Sequence, residues 1–458
     1  MKIYDEAIIG GGICGIMAAK RLIDNDKTRK VAIIEKGREL TKRKCPASQS
    51  QACLHCGICS ITSGLAGAGA FSDGKFNLGT AYGGTLGEEL GEHLANTYIN
   101  EVDNILKDFA EDYPDLYRSN DELKLKCVQN NLTLLDMNVR HLGTDKNFKT
   151  MYNIIDYIRN NGVDIFSETT CKKIKRDGEL FHINCNNNVY AARRIIIATG
   201  RTGANFVEKF CHDFGVKLNA NAVDIGVRVE MKDIIWKEFS SKIYEPKILY
   251  KTKTFEDKCR MFCFNQGGYV SAENNDGVIT ANGHSFAQAE KKSENCNFAI
   301  LSSIKFTEPF DQPTKYATNI AEDMNMIGAG NVVVQRFGDL IRGRRTTDSR
   351  LAKNTVIPTL KATAGDISMV MPYRHMSNII ETIYALDKVA PGTANDDTLL
   401  YGCENKYYSI RPQFINEKFE VSKDIFILGD GSGICRGLSQ SGAMGLYAAD
   451  CICGKVMK

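Results

Sequence analysis

The densest run of chemistry-bearing side chains lies at Cys45-Pro46 and Cys53-Leu54-His55-Cys56-Gly57-Ile58-Cys59. The spacing is C-x7-C-x2-C-x2-C, with two overlapping C-x2-C units. Cys45, Cys53, Cys56 and Cys59 have the number and spacing to hold zinc or an iron–sulfur cluster, with His55 as an exchangeable ligand. The same thiols also read as a redox dithiol, through Cys53/Cys56 or Cys56/Cys59, or as plain reduced cysteines. Just after them, Ser63 to Lys75 carries Gly64, Gly67, Gly69 and Gly74, so backbone here must pass close to something flat or anionic. Lys75 ends that run as a candidate positive charge. His284, in the turn-rich Asn282-Gly283-His284-Ser285, is a candidate acid/base, set against a purely structural role. Arg342-Gly343-Arg344-Arg345 is a surface run by default, or a clamp for a carboxylate or phosphate that uses Arg345.

The frame for these groups begins at the N-terminus. Tyr4 to Ile9 reads as a buried strand, Gly10-Gly11-Gly12-Ile13-Cys14-Gly15 as a tight turn, and Ile16 to Leu22 as a helix. Lys30 to Ile34 reads as a second strand, and it ends in Glu35. This is one βαβ unit with a G-x-G-x-x-G turn and a terminal acid. Gly10 permits the turn, Gly12 lets backbone approach a pyrophosphate, and Gly15 lets helix and strand close up. The helix N-terminus offers free N–H groups and a positive dipole end, and Glu35 is placed to accept from a ribose. The ligand this pattern specifies is a dinucleotide. Beyond Glu35, Lys36 to Lys44 reads as a solvated basic loop.

The bulk composition sets limits. The chain has 458 residues, 43% hydrophobic and 25% charged, which suits two or three globular domains. A net charge of +3 argues against a nucleic-acid partner. No apolar run approaches the roughly 20 residues of a membrane helix, and the first strand starts too early for a leader peptide. From this we expect a cytoplasmic protein, with most of its 16 cysteines reduced.

Residues 87 to 118 and 147 to 160 carry helical periodicity. Residues 170–175, 180–185 and 188–191 read as an antiparallel meander. It leads into the apolar strand Arg193 to Ala198 and the turn Thr199-Gly200. From residue 225 to about 400 the pattern becomes short strands: 225–230, 248–252, 259–264, 268–271 and 277–281. No second G-x-G-x-x-G occurs in this block. Asp424 to Leu428 is another apolar strand, closed by Gly429-Asp430-Gly431. A helix then opens through Ser441, Gly442 and Ala443.

The meander leading to Ala-Thr-Gly, and the strand ending in Gly-Asp before a helix, resemble the glutathione-reductase type of FAD protein. Across nearly the whole chain the sequence resembles the uncharacterised bacterial FAD-dependent dehydrogenases of that superfamily. The resemblance rests on the Cys45–Cys59 cluster, Gly67 to Lys75, Val223 to Arg228, Gly343-Arg344-Arg345, Pro358-Thr359-Leu360 and Leu428 to Gly431. It implies FAD held by Gly10, Gly12, Cys14, Gly15, Glu35 and Lys36 at the ADP end. It also implies contacts from Gly69, Ser72, Gly74, Cys171, Thr199, Gly200, Gly429, Asp430, Ser441, Gly442 and Ala443. Lys75 would then lie near flavin N1 or a substrate anion.

The expected fold is α/β: a Rossmann-type FAD domain from 1–224 and 401–458, with an antiparallel-sheet-rich α+β substrate domain inserted at 225–400. The expected activity is an FAD-dependent oxidoreductase that moves a hydride through flavin N5 to or from a small organic substrate, with an activated C=C bond as the leading class. Lacking a second nucleotide fold, it would take its hydride from NAD(P)H bound only transiently as a donor, from a ferredoxin, or from the substrate itself. Two other classes compete: a tRNA- or protein-modifying flavoprotein that uses Arg342 to Arg345, and a flavin/thiol redox sensor that uses the Cys45–Cys59 cluster.

Overall fold

Strands that are apolar on both faces must be covered on both faces, and the first sheet is built from such strands. In chain order the first unit contains β1 (Ile3–Ile9), β2 (Val31–Ile34), β3 (Lys75–Asn77), β4 (Val139–His141), β5 (Asp164–Phe166), β6 (Cys171–Asp177), β7 (Leu180–Cys185) and β8 (Val189–Ile197). A strand at Ile425–Ile427 follows near the C-terminus. The computed structural model describes residues 2–45, 56–72, 74–186, 188–219, 223–275, 277–285, 290, 292–304, 306, 312–406 and 411–457. The chain divides into two units: Met1–Tyr117 with Asn138–Asn219 and Ser409–Lys458, and Arg118–Met137 with Ala220–Tyr408.

In the first unit the sheet runs from an antiparallel edge strand at Glu420–Ser422 through Ile425–Ile427, β8, β1, β2 and β5, the last five mutually parallel. The β6–β7 hairpin joins antiparallel through β7 to β8. The meander's third strand and the Arg193 to Ile197 strand are one continuous β8, since Tyr190 and Ala192 pair with β7 while Ala191 to Ile197 pair with β1. Helices α1 (Ile13–Asn25), α2 (Glu92–Phe109), α3 (Thr144–Asn160) and the C-terminal Leu438–Cys453 share one core. The helical stretch expected to reach residue 118 stops at Phe109. Close packing of α1 on the C-terminal helix needs Gly445, where a Cβ would lie 2.3 Å from the Cys14 carbonyl oxygen.

The second unit is led by β9 (Val223–Lys232), β10 (Ile248–Lys251), β11 (Lys258–Asn265), β12 (Tyr269–Asn275) and β13 (Val278–His284). It continues with β14 (Asn295–Ile304), β15 (Val333–Arg336), β16 (Thr363–Ala364) and β17 (Leu399–Lys406). One sheet runs β16-β15-β17-β9-β14-β11-β10 and ends on the strand Leu132–Leu134, while β12 and β13 form a separate hairpin. Alternation on β9 sends Val223, Ile225, Val227, Val229 and Met231 into a core shared with helices α4 (Pro313–Ile327) and α5 (Tyr373–Asp387).

The observed boundaries depart from those drawn at 224/225 and 400/401. Residues 118–137, expected in the first domain, belong to the second unit. The cause is apolar: Leu132 and Leu134 complete the second unit's core, and their strand pairs with β10. A twenty-residue excursion of this kind carries no sequence marker.

Helix α5 buries His375 completely, and neither ring nitrogen has a hydrogen-bond partner. Burial pulls its pKa from 6.5 to about 4, with Asp257 pushing up and Arg374 down. The folded ring therefore stays neutral where the unfolded chain would bind a proton. Stability is unaffected above about pH 6.5 and falls as pH drops toward 4, by about 3 kcal/mol in all. We expect His375→Leu to flatten this slope in urea unfolding between pH 7 and 4, with no loss of stability at pH 7. An unchanged slope would rule out His375 as its source.

Candidate cofactor and substrate sites

Four parallel strands of the first unit end side by side. Ile9 pairs with both Ile34 and Ile197, and Ile197 pairs with Ile427. The residues that follow each end are Gly10 to Gly12, Glu35, Ala198-Thr199-Gly200 and Leu428-Gly429-Asp430. The carboxyl edge of a parallel sheet is where such folds hold ligands. Every one of these turns was singled out in the sequence, and pairing brings them to one edge.

The glycines divide by what their neighbours permit. Gly10 has φ +110°, and a Cβ there would lie 2.4 Å from the Ala198 carbonyl oxygen. A Cβ at Gly15 would meet the Gly10 carbonyl oxygen at 2.2 Å. Both are demanded by the fold itself. Gly12 is different: its Cβ would touch only the Gly67 Cα, at an unstrained 3.9 Å. That open space in front of the α1 N-terminus is the cradle a pyrophosphate needs. Gly12 caps α1 without a side-chain hydrogen bond, and the first turn carries no acid. The C-terminal helix likewise starts at Gly437 with no side-chain cap and no acid. Two uncapped helix starts leave backbone donors for anionic or carbonyl oxygens.

Glu35 is buried and bonds to three backbone N–H groups: Gly11 at 2.8 Å, Gly37 at 2.8 Å and Gly64 at 2.9 Å. Its carboxylate ties the glycine turn to the 64–67 loop, whose Ala66 N–H donates to the Gly11 carbonyl. A ribose would meet the remaining acceptor capacity. Cys14 is buried, its thiol pushed up to about 12 by desolvation. It packs against Gly429, where a Cβ would sit 3.1 Å from the Cys14 Cβ. Its side chain is thus a spacer between α1 and the Gly429 turn. Lys36 reaches the Thr202 carbonyl at 3.4 Å, and Asp430 pairs with Arg201 at 3.2 Å. The Thr199 hydroxyl is buried with no partner. It thereby supplies an unused donor and acceptor at this edge.

The basic loop holds a correction. Arg43, expected on a solvated run, is buried. Its guanidinium donates to Ser60, Leu65, Gly67 and Ile61 carbonyls at 2.9, 2.7, 2.8 and 2.7 Å. The Phe71 ring lies 4.7 Å away. Burial draws its pKa down to about 10, opposed by Glu35 and Cys59, so it stays charged near neutrality. The four carbonyls converge because the loop curls around it, and no other side chain has a fork that spans them. We expect Arg43→Met to cost about 2–3 kcal/mol and to raise proteolysis within 56–67. Unchanged proteolysis would show that the loop holds itself.

Cys53 and His55 lie outside the described residues. Cys56 and Cys59 are exposed, and among the described residues no group of three or more His, Cys, Asp or Glu is placed to hold a metal. Although partial burial opposes ionisation, the Cys59 thiol titrates below its ordinary value. The N–H groups of Thr62 and Ile61, the Thr62 hydroxyl and Arg43 outweigh the burial. Gly69 offers its carbonyl to Asn147 at 2.8 Å and to Ser72 at 2.8 Å, and Gly74 has φ +65° against Asn147. Lys75 pairs across the β3–β4 ladder with His141. Ser441 lies 4.0 Å from where a Gly429 Cβ would sit, and Gly442 and Ala443 pack in the helical core.

The second unit carries a polar strip the sequence reading did not assemble. Opposite the apolar face of β9 lie Asp224, Arg228 and Glu230, all buried. Arg228 donates to Asn297 Oδ1 at 2.6 and 2.9 Å, to the Cys263 carbonyl at 2.7 Å and to Glu404 at 3.4 Å. Lys406 adds a second cation, 3.0 Å from Glu404. Glu230 accepts from Tyr401 and Thr359 hydroxyls, each at 2.5 Å, and from Asn295 at 3.0 Å. Asp224 is paired with Arg260 and with Ser303. The β12–β13 hairpin covers Arg228, and it does so through Gly283, where a Cβ would sit 2.1 Å from Arg228 Nη2. The signal was present as charges at alternate positions of a buried strand, since charges two apart face the same side.

His284 follows Gly283 and stacks on its cross-strand neighbour Tyr269 at 5.8 Å. Partial desolvation and the Arg228 charge lower its pKa, so the ring is neutral near pH 7. Of the arginine run, Arg342 is paired with Asp396 and Arg344 with Asp339, each at 2.7 Å. Arg345 is exposed and donates to the Ala364 carbonyl at 3.3 Å. Two of the run's three charges are thus neutralised by neighbours, which weakens it as a polyanion clamp. Among the described residues no helix is long and apolar enough to cross a membrane.

Residues 222–407 match the family described as FAD-dependent protein, C-terminal domain-like. L-2-hydroxyglutarate dehydrogenase, mitochondrial, of Dictyostelium discoideum is 38% identical over 56 residues. That stretch is 12% of this chain and 12% of the relative. Glycine oxidase from Bacillus cereus is 13% identical, with 99% of this chain and 95% of that chain covered at a TM-score of 0.39. L-proline dehydrogenase from P. horikoshii is 11% identical, with 100% and 95% covered, also at 0.39. Scores this low carry no weight for function. The family match stands independently of the glycine turn, because it lies in the other half of the sequence. It names FAD as the dinucleotide, and the open cradle at Gly12 with the unused Thr199 hydroxyl fits that cofactor.

Proposed function

We propose that this FAD-dependent chain is an oxidoreductase that passes a hydride between flavin and a small organic substrate, with an activated C=C bond as the preferred substrate class. The observation that carries the proposal is the alignment of four strand ends, each followed by a turn suited to part of one dinucleotide. In this reading the α1 N–H groups and Gly12 take the pyrophosphate, and Glu35 the ribose. Thr199, Gly200, Gly429, Asp430 and the start of the C-terminal helix take the remainder. When bound, FAD supplies hydride transfer at N5. The neutral His284 ring is the candidate proton carrier for substrate, and Lys75 and Arg345 are candidate anion contacts. NAD(P)H is the candidate transient donor.

The competing substrate class is the 2-hydroxy acids, suggested by the name of the Dictyostelium relative. Anaerobic flavin spectroscopy separates the two. Under the proposal, photoreduced flavin is reoxidised by enones or unsaturated acids, while 2-hydroxy acids leave oxidised flavin unbleached. Bleaching by a 2-hydroxy acid, with no response to enones, would replace the C=C reading. A protein that takes up no FAD would refute both.

A further inference from the structure

We infer that Cys171 and Cys185 form a peroxide-oxidisable dithiol/disulfide site at the open end of the β6–β7 hairpin. The two residues are cross-strand partners at the end of an antiparallel ladder, just outside a register shift between Cys171 and Lys173. The next pair outward is hydrogen-bonded, since the Asn186 N–H donates to the Thr170 carbonyl at 3.1 Å and the Thr170 N–H to Asn186 Oδ1 at 3.2 Å. Directly opposed residues of an antiparallel pair have Cα atoms about 4.5–5.5 Å apart, within the range a disulfide spans. The two thiols are close enough that each shifts the other's ionisation. Cys171 is buried in the core beneath the sheet and Cys185 is half-buried at its margin. A peroxide therefore has access to one sulfur, while the other waits behind it.

The ionisation order matches that geometry. The neighbouring Cys171 lowers the Cys185 pKa, against the effect of burial. The neighbouring Cys185, with desolvation, raises Cys171 far above an ordinary thiol. Cys185 is thus the more readily ionised of the two, and Cys171 the resolving thiol. The Cys185 thiolate attacks one oxygen of hydrogen peroxide. An S–O bond forms, the O–O bond breaks, and hydroxide leaves, giving Cys185 sulfenic acid. Cys171 sulfur then attacks the sulfenic sulfur. The S–S bond forms, and hydroxide leaves with the Cys171 proton as water. Both sulfurs are oxidised by one electron each, and one peroxide becomes one water and one hydroxide, the hydroxide taking up the proton that Cys185 released on ionising.

The site touches the nucleotide edge. Glu168 and Thr169, just before β6, donate their N–H groups to the carbonyls of Gly37 and Glu35 at 2.8 and 2.9 Å. A disulfide at Cys171 would fasten the chain just after them. The proposal does not depend on FAD binding, and its test is chemical.

The full-length protein is treated with hydrogen peroxide, alkylated, digested without reductant and mapped by mass spectrometry. We expect one peptide linking Cys171 to Cys185, lighter by two hydrogens than the thiol pair, and lost on reduction. In Cys171→Ser, the Cys185 sulfenic acid has no resolving partner, so dimedone labelling of Cys185 should rise several-fold over wild type. A wild-type map in which Cys185 ends as sulfinic acid, or links elsewhere, while Cys171 alkylates as a free thiol, would overturn the inference. Because that map uses unaltered protein, a misfolded variant cannot obscure the result.

Discussion

Arg228→Met is expected to destabilise the second unit by about 3–5 kcal/mol, the largest single effect on stability we foresee. The substitution leaves Glu404 buried with Lys406 as its remaining cation, and it leaves Asn297 Oδ1 and the Cys263 carbonyl with only the Asn265 amide as donor. The cost arises from stranded partners more than from the lost attraction, because a buried carboxylate cannot rehydrate. Arg228→Lys should recover only part of it, since an ammonium cannot reproduce a fork that reaches three partners in one plane. Urea unfolding of the three proteins is the measurement. If Arg228→Met and wild type unfolded together, the polar strip would be incidental to stability. Gly283→Ala offers an independent probe, as its Cβ would collide with the same guanidinium.

Gly12→Ala is expected to weaken FAD binding about 10–100-fold while leaving the apoprotein's stability within about 0.5 kcal/mol of wild type. The separation follows from geometry. The added methyl meets nothing closer than 3.9 Å in the protein, so it occupies only the space left for ligand. Gly15→Ala should behave oppositely, because its methyl lies 2.2 Å from the Gly10 carbonyl oxygen and must break the turn. Apoprotein titration with FAD, followed by flavin fluorescence and by thermal unfolding, reads both quantities. Tight FAD binding by Gly12→Ala would place the pyrophosphate elsewhere.

Much of the first unit was legible because its signals are local. The strand, glycine turn, helix and acid of residues 4–35 are neighbours in sequence, and each residue's role follows from backbone sterics or a dipole. The Thr199-Gly200 and Gly429-Asp430 turns were legible for the same reason: an apolar strand that stops at glycine announces its own end. Arg43 was misread because a run of basic residues normally marks solvent. Its four acceptors are backbone carbonyls, which no sequence pattern displays. Residues 118–137 were assigned to the wrong unit because strand partners are chosen by burial, and nothing in Leu132-Thr133-Leu134 names β10 as its neighbour.

The contrast is sharpest between the two sites. Sequence by itself determined that a dinucleotide turn exists and which glycines make it, since φ preferences and close approach are properties of single residues. Tertiary structure decided which of those glycines the fold itself demands and which stands beside open space. That distinction depends on what stands 2–4 Å from a missing methyl. It also decided that Arg228 faces Glu404, 176 residues away, and that Cys171 faces Cys185. Pairing of this kind is set by strand register and by the cost of burying an unpaired charge, and both are fixed only when the chain closes on itself.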